Sequence, residues 1–154
     1  MPRIEGSIDV PGPPSSVFRF CHEMDRRAEW DERVARVKVL TPRPIRTGTV
    51  IRVDTPSPRG GPVFSWEGEF VTYSYPSRSK LVVLDAAPSS YFAEGSEEWS
   101  FARSGEGTRV RVAWEYEPRG LLRRISDALI GRRSTRGAVN ESLANLRRTL
   151  QAEA

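Results

Sequence analysis

Residues 108–117, Thr-Arg-Val-Arg-Val-Ala-Trp-Glu-Tyr-Glu, alternate without a slip. Successive side chains of an extended strand point to opposite faces. Val110, Val112, Trp114 and Tyr116 therefore share one side, and Arg109, Arg111, Ala113, Glu115 and Glu117 the other. Pro118 closes the run, and a long segment with helical periodicity follows. A sheet with one oily aromatic face, next to one long helix with an oily stripe, must bury the two against each other. Such a sheet wrapped around a helix can enclose a cavity.

The rest of the chain reads as further strands around that pair. Ile4, Ile8 and Val10 alternate with Glu5, Ser7 and Asp9, a half-buried strand stopped by Pro11-Gly-Pro-Pro14. Proline is tolerated in a first helical turn, so a short helix is expected next, with Val17, Phe18 and Cys21 on its apolar face. Asp25 is positioned to cap a second short helix running to Trp30. Strands are expected over 34–40, 47–55, from about 63, over 80–86 and over 91–103. The turns between them are Thr41-Pro-Arg-Pro44, Pro56 to Pro62, Pro76 to Ser79 and Ser104-Gly-Glu-Gly107. Phe64, Trp66, Gly68 and Phe70 fall on one face of their strand.

In the final helix Leu122, Ile125 and Leu129 form one stripe, and Val139, Leu143, Leu146 and Leu150 another. The gap of ten from Leu129 to Val139 keeps the stripes in phase, which would turn Arg132 and Arg136 inward. Gly131 and Gly137 weaken the middle, each by about 1 kcal/mol against alanine. One helix with a weak middle is expected; a kink there would release both arginines to solvent.

The 154 residues fit one domain spanning 1–154, large enough to bury a core without staples. The lone Cys21 excludes an intramolecular disulfide. No apolar run approaches the roughly 20 residues of a membrane span, and the start does not read as a signal peptide, so a cytoplasmic protein is expected. The net charge is +4, and only Lys38 and Lys80 are lysines. Arg119, Arg123, Arg124, Arg132, Arg133 and Arg136 cluster in one segment. Such a patch can meet nucleic acid or an anionic membrane surface, but a solvated helix face is the simpler reading. No zinc-finger spacing, RNP-type motif or helix-turn-helix signature accompanies it, so no nucleic-acid partner is expected.

Several stretches, in this order, resemble the START/Bet v 1-like superfamily, and within it the polyketide cyclase/dehydrase-like family. They are Ile8-Asp-Val-Pro-Gly-Pro-Pro-Ser-Ser-Val-Phe18, Asp25 through Trp30, Gly107-Thr-Arg-Val-Arg-Val112 and Asn140-Glu-Ser-Leu-Ala-Asn-Leu-Arg147. The resemblance implies an α+β helix-grip fold: a seven-stranded antiparallel sheet around a long C-terminal helix, with two short helices after the first strand. An apolar pocket would lie between sheet and helix. Similar proteins include aromatase/cyclases, lipid and quinone carriers and hormone receptors, so the fold alone does not choose a reaction.

Strand parity then nominates the inward residues. If Trp99 and Phe101 face the helix, so do Tyr91, Ala93, Gly95 and Glu97. Glu97 is a carboxylate among aromatics and the candidate general base, raised in pKa by burial or lowered by a nearby arginine. A bulge would instead turn it outward. Trp66, Phe70, Tyr91, Trp99, Trp114 and Tyr116 are the candidate ligand-binding aromatics, joined from the helix by Ile125, Leu129 and Arg132. Trp30 is expected to help close one end. His22, the single histidine, has no nucleophile elbow beside it and is expected near the surface; Cys21 has no companion ligands, so no metal site is expected. Gly60-Gly61 reads as loop chemistry, and no phosphate loop, Rossmann or haem motif implies a cofactor. The expected function is binding of a hydrophobic small molecule, polyketide-like or lipid-like, with or without cyclase/dehydrase chemistry. The alternatives are a non-catalytic lipid or quinone carrier, and an interaction module built on the arginine-rich helix. Oligomeric state stays open.

Overall fold

The structure, a computed structural model, describes residues 1–57 and 62–153; Gly60 and Gly61 lie outside them. Seven strands form one antiparallel sheet in the order β1-β7-β6-β5-β4-β3-β2. They are β1 (Arg3–Val10), β2 (Arg36–Val39), β3 (Val50–Thr55), β4 (Phe64–Ser74), β5 (Arg78–Ala86), β6 (Phe92–Ser104) and β7 (Gly107–Pro118). Helix α1 (Pro14–Cys21) and a 3-10 helix (Met24–Glu29) carry the chain from one sheet edge to the other between β1 and β2. Asp25 does not cap that second helix; the capping position is Glu23, which makes no side-chain capping bond. The helix-grip architecture expected from the sequence is the one observed, with β2 and β3 shorter than the 34–40 and 47–55 runs that suggested them.

β7 obeys its alternation from end to end. Thr108, Val110, Val112, Trp114, Tyr116 and Pro118 are buried, and the residues between them are not. The α3 helix (Arg132–Glu153) packs against β1, the neighbour of β7, and turns Val139, Leu143 and Leu146 into the core. Its approach to β1 is close: a Cβ on Gly6 would stand 2.9 Å from the Leu143 side chain and 3.1 Å from that of Val139. At the α1 end, Phe18 is fully buried, stacked on His22 at 4.2 Å and edge-on to Tyr73 and Phe101.

Two expectations fail locally. On β6 a register shift between Phe92 and Glu94 breaks the parity, so Phe92 is buried and Ala93 exposed. The irregularity precedes Gly95, which leaves Glu97, Trp99 and Phe101 on the inner face. The second failure is the start of the terminal helix. α2 (Gly120–Ser126) and α3 are joined through a π-helical turn at Asp127–Gly131. Leu122, Ile125 and Leu129, read as an inward stripe, are instead 83, 51 and 72 % exposed. A π turn holds an extra residue and rotates everything before it. Gly137 lies inside unbroken α3, and Arg136 is exposed.

Candidate functional site

Between the concave sheet face and α3 lies a cavity of about 510 Å³. The sheet contributes Trp66 and Phe70 from β4, Glu97 and Trp99 from β6, and Trp114 and Tyr116 from β7; Tyr91 enters from just before β6. All seven line the space; parity brought Trp66, Phe70, Trp99, Trp114 and Tyr116 together around Glu97, whereas Tyr91 lies before the β6 irregularity and its place in the lining does not follow from that parity. Phe64 and Phe92 complete an aromatic wall, with Phe92 edge-on to Trp66 at 5.7 Å and to Trp114 at 5.1 Å. Ile125, Leu129 and Arg132 are not part of the lining. The first two face solvent because of the π turn, and Arg132 is drawn to Asp127, 3.5 Å away. Trp30 is buried and edge-on to Trp99 at 5.8 Å, behind the cavity surface.

Glu97 belongs to a buried quartet. Its carboxylate accepts from Arg27 at 3.1 Å and pairs with Arg33 at 2.8 Å. Asp31 binds the same two arginines, at 2.8 Å from Arg27 and 3.1 Å from Arg33. The Trp99 indole N–H also donates to Glu97, and Arg27 lies over the Trp30 and Trp99 rings at 4.8 and 4.9 Å. Burial pushes the Glu97 carboxyl up, but Arg33 and then Arg27 outweigh it and hold its pKa below the usual value. Asp31, opposed by burial in the same way, is held lower still by the same two guanidinium groups. Charges this buried persist only when paired, and two arginines against two carboxylates leave the quartet neutral. Arg27 and Asp31 sit four apart at the 3-10 helix, a spacing that signals an ion pair; nothing in the sequence ties them to Glu97, 70 residues away.

The π turn builds the other polar group. Asp127 is fully buried, and its Oδ1 accepts from the hydroxyls of Tyr91 at 2.8 Å and Tyr116 at 2.7 Å. Burial, and then the neighbouring carboxylate, raise both phenols well above their ordinary pKa, so they stay protonated. Gly131 makes this possible: a Cβ there would stand 2.1 Å from the Tyr91 hydroxyl. Sequence reasoning missed Asp127, although it is the only acidic residue among the six arginines of 119–136.

His22 is the other departure. It is 5 % exposed and lines the cavity floor, with Nδ1 donating to the Phe18 carbonyl at 2.8 Å and Nε2 accepting from the Ser79 hydroxyl at 2.8 Å. Burial lowers its pKa to about 4, so the ring is neutral at pH 7, in the tautomer these two bonds require. Cys21 is buried and its thiol is pushed up to about 12, again by burial. Among the described residues no group of three or more His, Cys, Asp or Glu side chains could hold a metal ion, and no helix is long and apolar enough to cross a membrane.

Solved structures of the same shape place this arrangement in a class. The protein TTHA0849 from Thermus thermophilus superposes with a TM-score of 0.83 at 19% identity over 99% of each chain. A START superfamily protein from Mycobacterium smegmatis gives 0.74 at 10% identity over 99% of each chain. The Zhui aromatase/cyclase from Streptomyces sp. R1128 gives 0.74 at 15% identity, over 96% of this chain and 94% of that one. At such identities the likeness is one of fold, and the fold is the START-type helix grip. The chain itself belongs to the family described as polyketide cyclase / dehydrase and lipid transport, which it matches over residues 1–151. Comparison with curated proteins gives no match.

Proposed function

We propose that this protein binds a hydrophobic small molecule, polyketide-like or lipid-like, between the sheet and α3. The observation that carries the reading is the cavity of about 510 Å³ walled by aromatic side chains, with charge limited to Arg27, Arg33 and Glu97 of the quartet and to Glu32 and Glu141. Membership of a family of cyclases, dehydrases and lipid transporters supports the same class of ligand.

The polar groups set what that ligand carries. A guanidinium has five N–H donors; Arg33 uses three on Asp31 and Glu97. It retains donors for a carbonyl or carboxylate. Tyr91 and Tyr116 have both committed their protons to Asp127, so their oxygens are left as acceptors, suited to a ligand hydroxyl. Glu97, ionised and engaged by three donors, is a weak proton acceptor; its role in the site is to hold Arg27 and Arg33 in place. Binding without turnover is therefore favoured. A cyclase reading, in which the walls fold a flexible chain for reaction, rests on the family and on the aromatase/cyclase neighbour.

Three of the four tryptophans line the cavity, so ligand entry is readable as tryptophan quenching. Titration with 1-anilinonaphthalene-8-sulfonate, which pairs an aromatic body with an anionic group, is expected to quench Trp66, Trp99 and Trp114 saturably. Gly137 borders the cavity and has open space around its Cβ position, so Gly137→Leu is expected to weaken binding without unfolding the chain. Native mass spectrometry of the purified protein then distinguishes an unchanged copurified ligand from a processed one. No saturable quenching, together with no copurified ligand, overturns the proposal.

A further inference from the structure

The outer side of the segment that carries Asp127 gathers five of the large apolar side chains that the described residues expose. Leu121, Leu122, Ile125, Leu129 and Ile130 fall within ten positions and are between 44 and 83 % exposed. Other exposed large apolar side chains, such as Leu40, Val71 and Leu84, are scattered along the strands and loops. Scattered exposure needs no explanation, whereas a contiguous patch marks something that covers it.

Charge narrows the occupant. From 119 to 136 the chain has six arginines and one acidic residue, Asp127, which points inward; this stretch alone exceeds the net +4 of the whole protein. Arg119 and Arg123 reach back to Ser90, Arg124 pairs with Glu117 and Arg132 with Asp127. Among the described residues Arg133 and Arg136 are exposed and have no carboxylate partner. A second copy of this face would set arginines against arginines around a two-fold axis. A polynucleotide would satisfy the arginines and leave the leucines wet. A bilayer rich in anionic lipid satisfies both, accepting aliphatic side chains below headgroups that attract arginine.

We propose that the segment Gly120–Gly131, with Arg133 and Arg136 at its flank, is a docking surface for an anionic lipid bilayer. It lies on the interface and does not span it. The π turn makes one stretch serve two surfaces: Leu129 and Ile130 face outward while Asp127 holds Tyr91 and Tyr116 at the cavity wall. The docked bilayer would therefore lie directly outside that wall. The proposal does not depend on what the cavity holds.

The test is sedimentation of the full chain with vesicles of phosphatidylcholine alone or mixed with phosphatidylglycerol, at low and high salt. The mixed vesicles are expected to bring the protein down at low salt, and phosphatidylcholine alone to do so weakly. Leu122→Ser with Leu129→Ser is expected to lower partitioning roughly tenfold. Arg133→Gln with Arg136→Gln is expected to lower it several-fold and flatten the salt dependence. Both pairs are solvent-exposed, so unchanged tryptophan emission verifies the fold. Protein that stays in the supernatant at low salt overturns the proposal. So does binding that is indifferent to the leucine substitutions, which marks a generic polyanion site. A dimer in solution that the same leucine substitutions dissociate assigns the face to a second copy and overturns it equally.

Discussion

His22 is the only histidine in the chain, and it is buried neutral, which ties stability to pH in a window no other side chain occupies. Its folded pKa is about 4, against an ordinary value of 6.5. As pH falls through 6.5 the unfolded chain takes up a proton that the native state refuses, so the stabilisation present above 6.5 is lost progressively until pH reaches the folded value. Between pH 7 and pH 5 the loss is about 2 kcal/mol, or a fall in Tm of roughly 4–8 °C for a chain of this size. Asp31, Glu97, Asp9 and Glu153 also have lowered folded values. Their contributions are present above the ordinary carboxylate range and are lost mainly below about pH 4.5, outside this window. Denaturant unfolding at pH 7 and pH 5 measures the effect directly. His22→Gln can keep a donor toward the Phe18 carbonyl and an acceptor toward Ser79 without titrating; it is expected to be less stable at pH 7 but nearly flat between the two pH values. Equal wild-type stability at pH 7 and pH 5, or a slope that survives in His22→Gln, refutes the reasoning.

Other substitutions read the two polar groups. Glu97→Gln leaves Arg27 and Arg33 against Asp31 alone, an unbalanced buried charge expected to lower stability by about 3 kcal/mol in chemical unfolding. Gly131→Ala drives a methyl into the Tyr91 hydroxyl and is expected to cost about 1–3 kcal/mol. Gly137→Ala, six positions on in α3 with nothing near its Cβ position, is expected to raise stability by up to about 1 kcal/mol; opposite shifts in Tm for the two glycines test where the helix is tight.

What was legible followed from local periodicity. β7, and β4 as far as Phe70, keep a strict period of two, so the pattern alone names each inward residue there; beyond Phe70 a register shift against β5 breaks it. β6 was legible only after its irregularity, because one extra residue flips every side chain before it; Ala93 was lost in this way and Glu97 kept. His22 was misplaced because an eight-residue helix that is covered on more than one side looks one-sided in sequence: Phe18, Phe20 and Cys21 are all buried around it. The quartet was illegible for a different reason. Its members lie on the 3-10 helix, the loop after it and β6, and long-range ion pairs leave no periodic trace.

The terminal helix shows how a single inserted residue converts a plausible core into a surface. Counting back from Val139 at 3.6 residues per turn puts the inward positions of a regular helix near Thr135, Arg132, Ala128, Ile125 and Leu121. Thr135 is inward, as this count requires. Beyond it the π turn shifts the register by about one residue, and the inward positions become Gly131, Asp127 and Arg123. Those are the residues observed: Gly131 under the Tyr91 hydroxyl, Asp127 between two tyrosines, and Arg123 turned back onto the Ser90 carbonyl. The register shift exchanges an aliphatic contact for a polar one at the cavity wall and exposes the leucines. Leaving five aliphatic side chains exposed adds little to folding of the isolated chain and forgoes burial worth up to about 1.5–3 kcal/mol for each that a core contact would have covered fully. The hydrogen bonds from Tyr91 and Tyr116 to Asp127, at about 0.5–1.5 kcal/mol each, recover only part of that. Covering the leucines would recover the rest, which is what docking on an apolar, negatively charged surface would do.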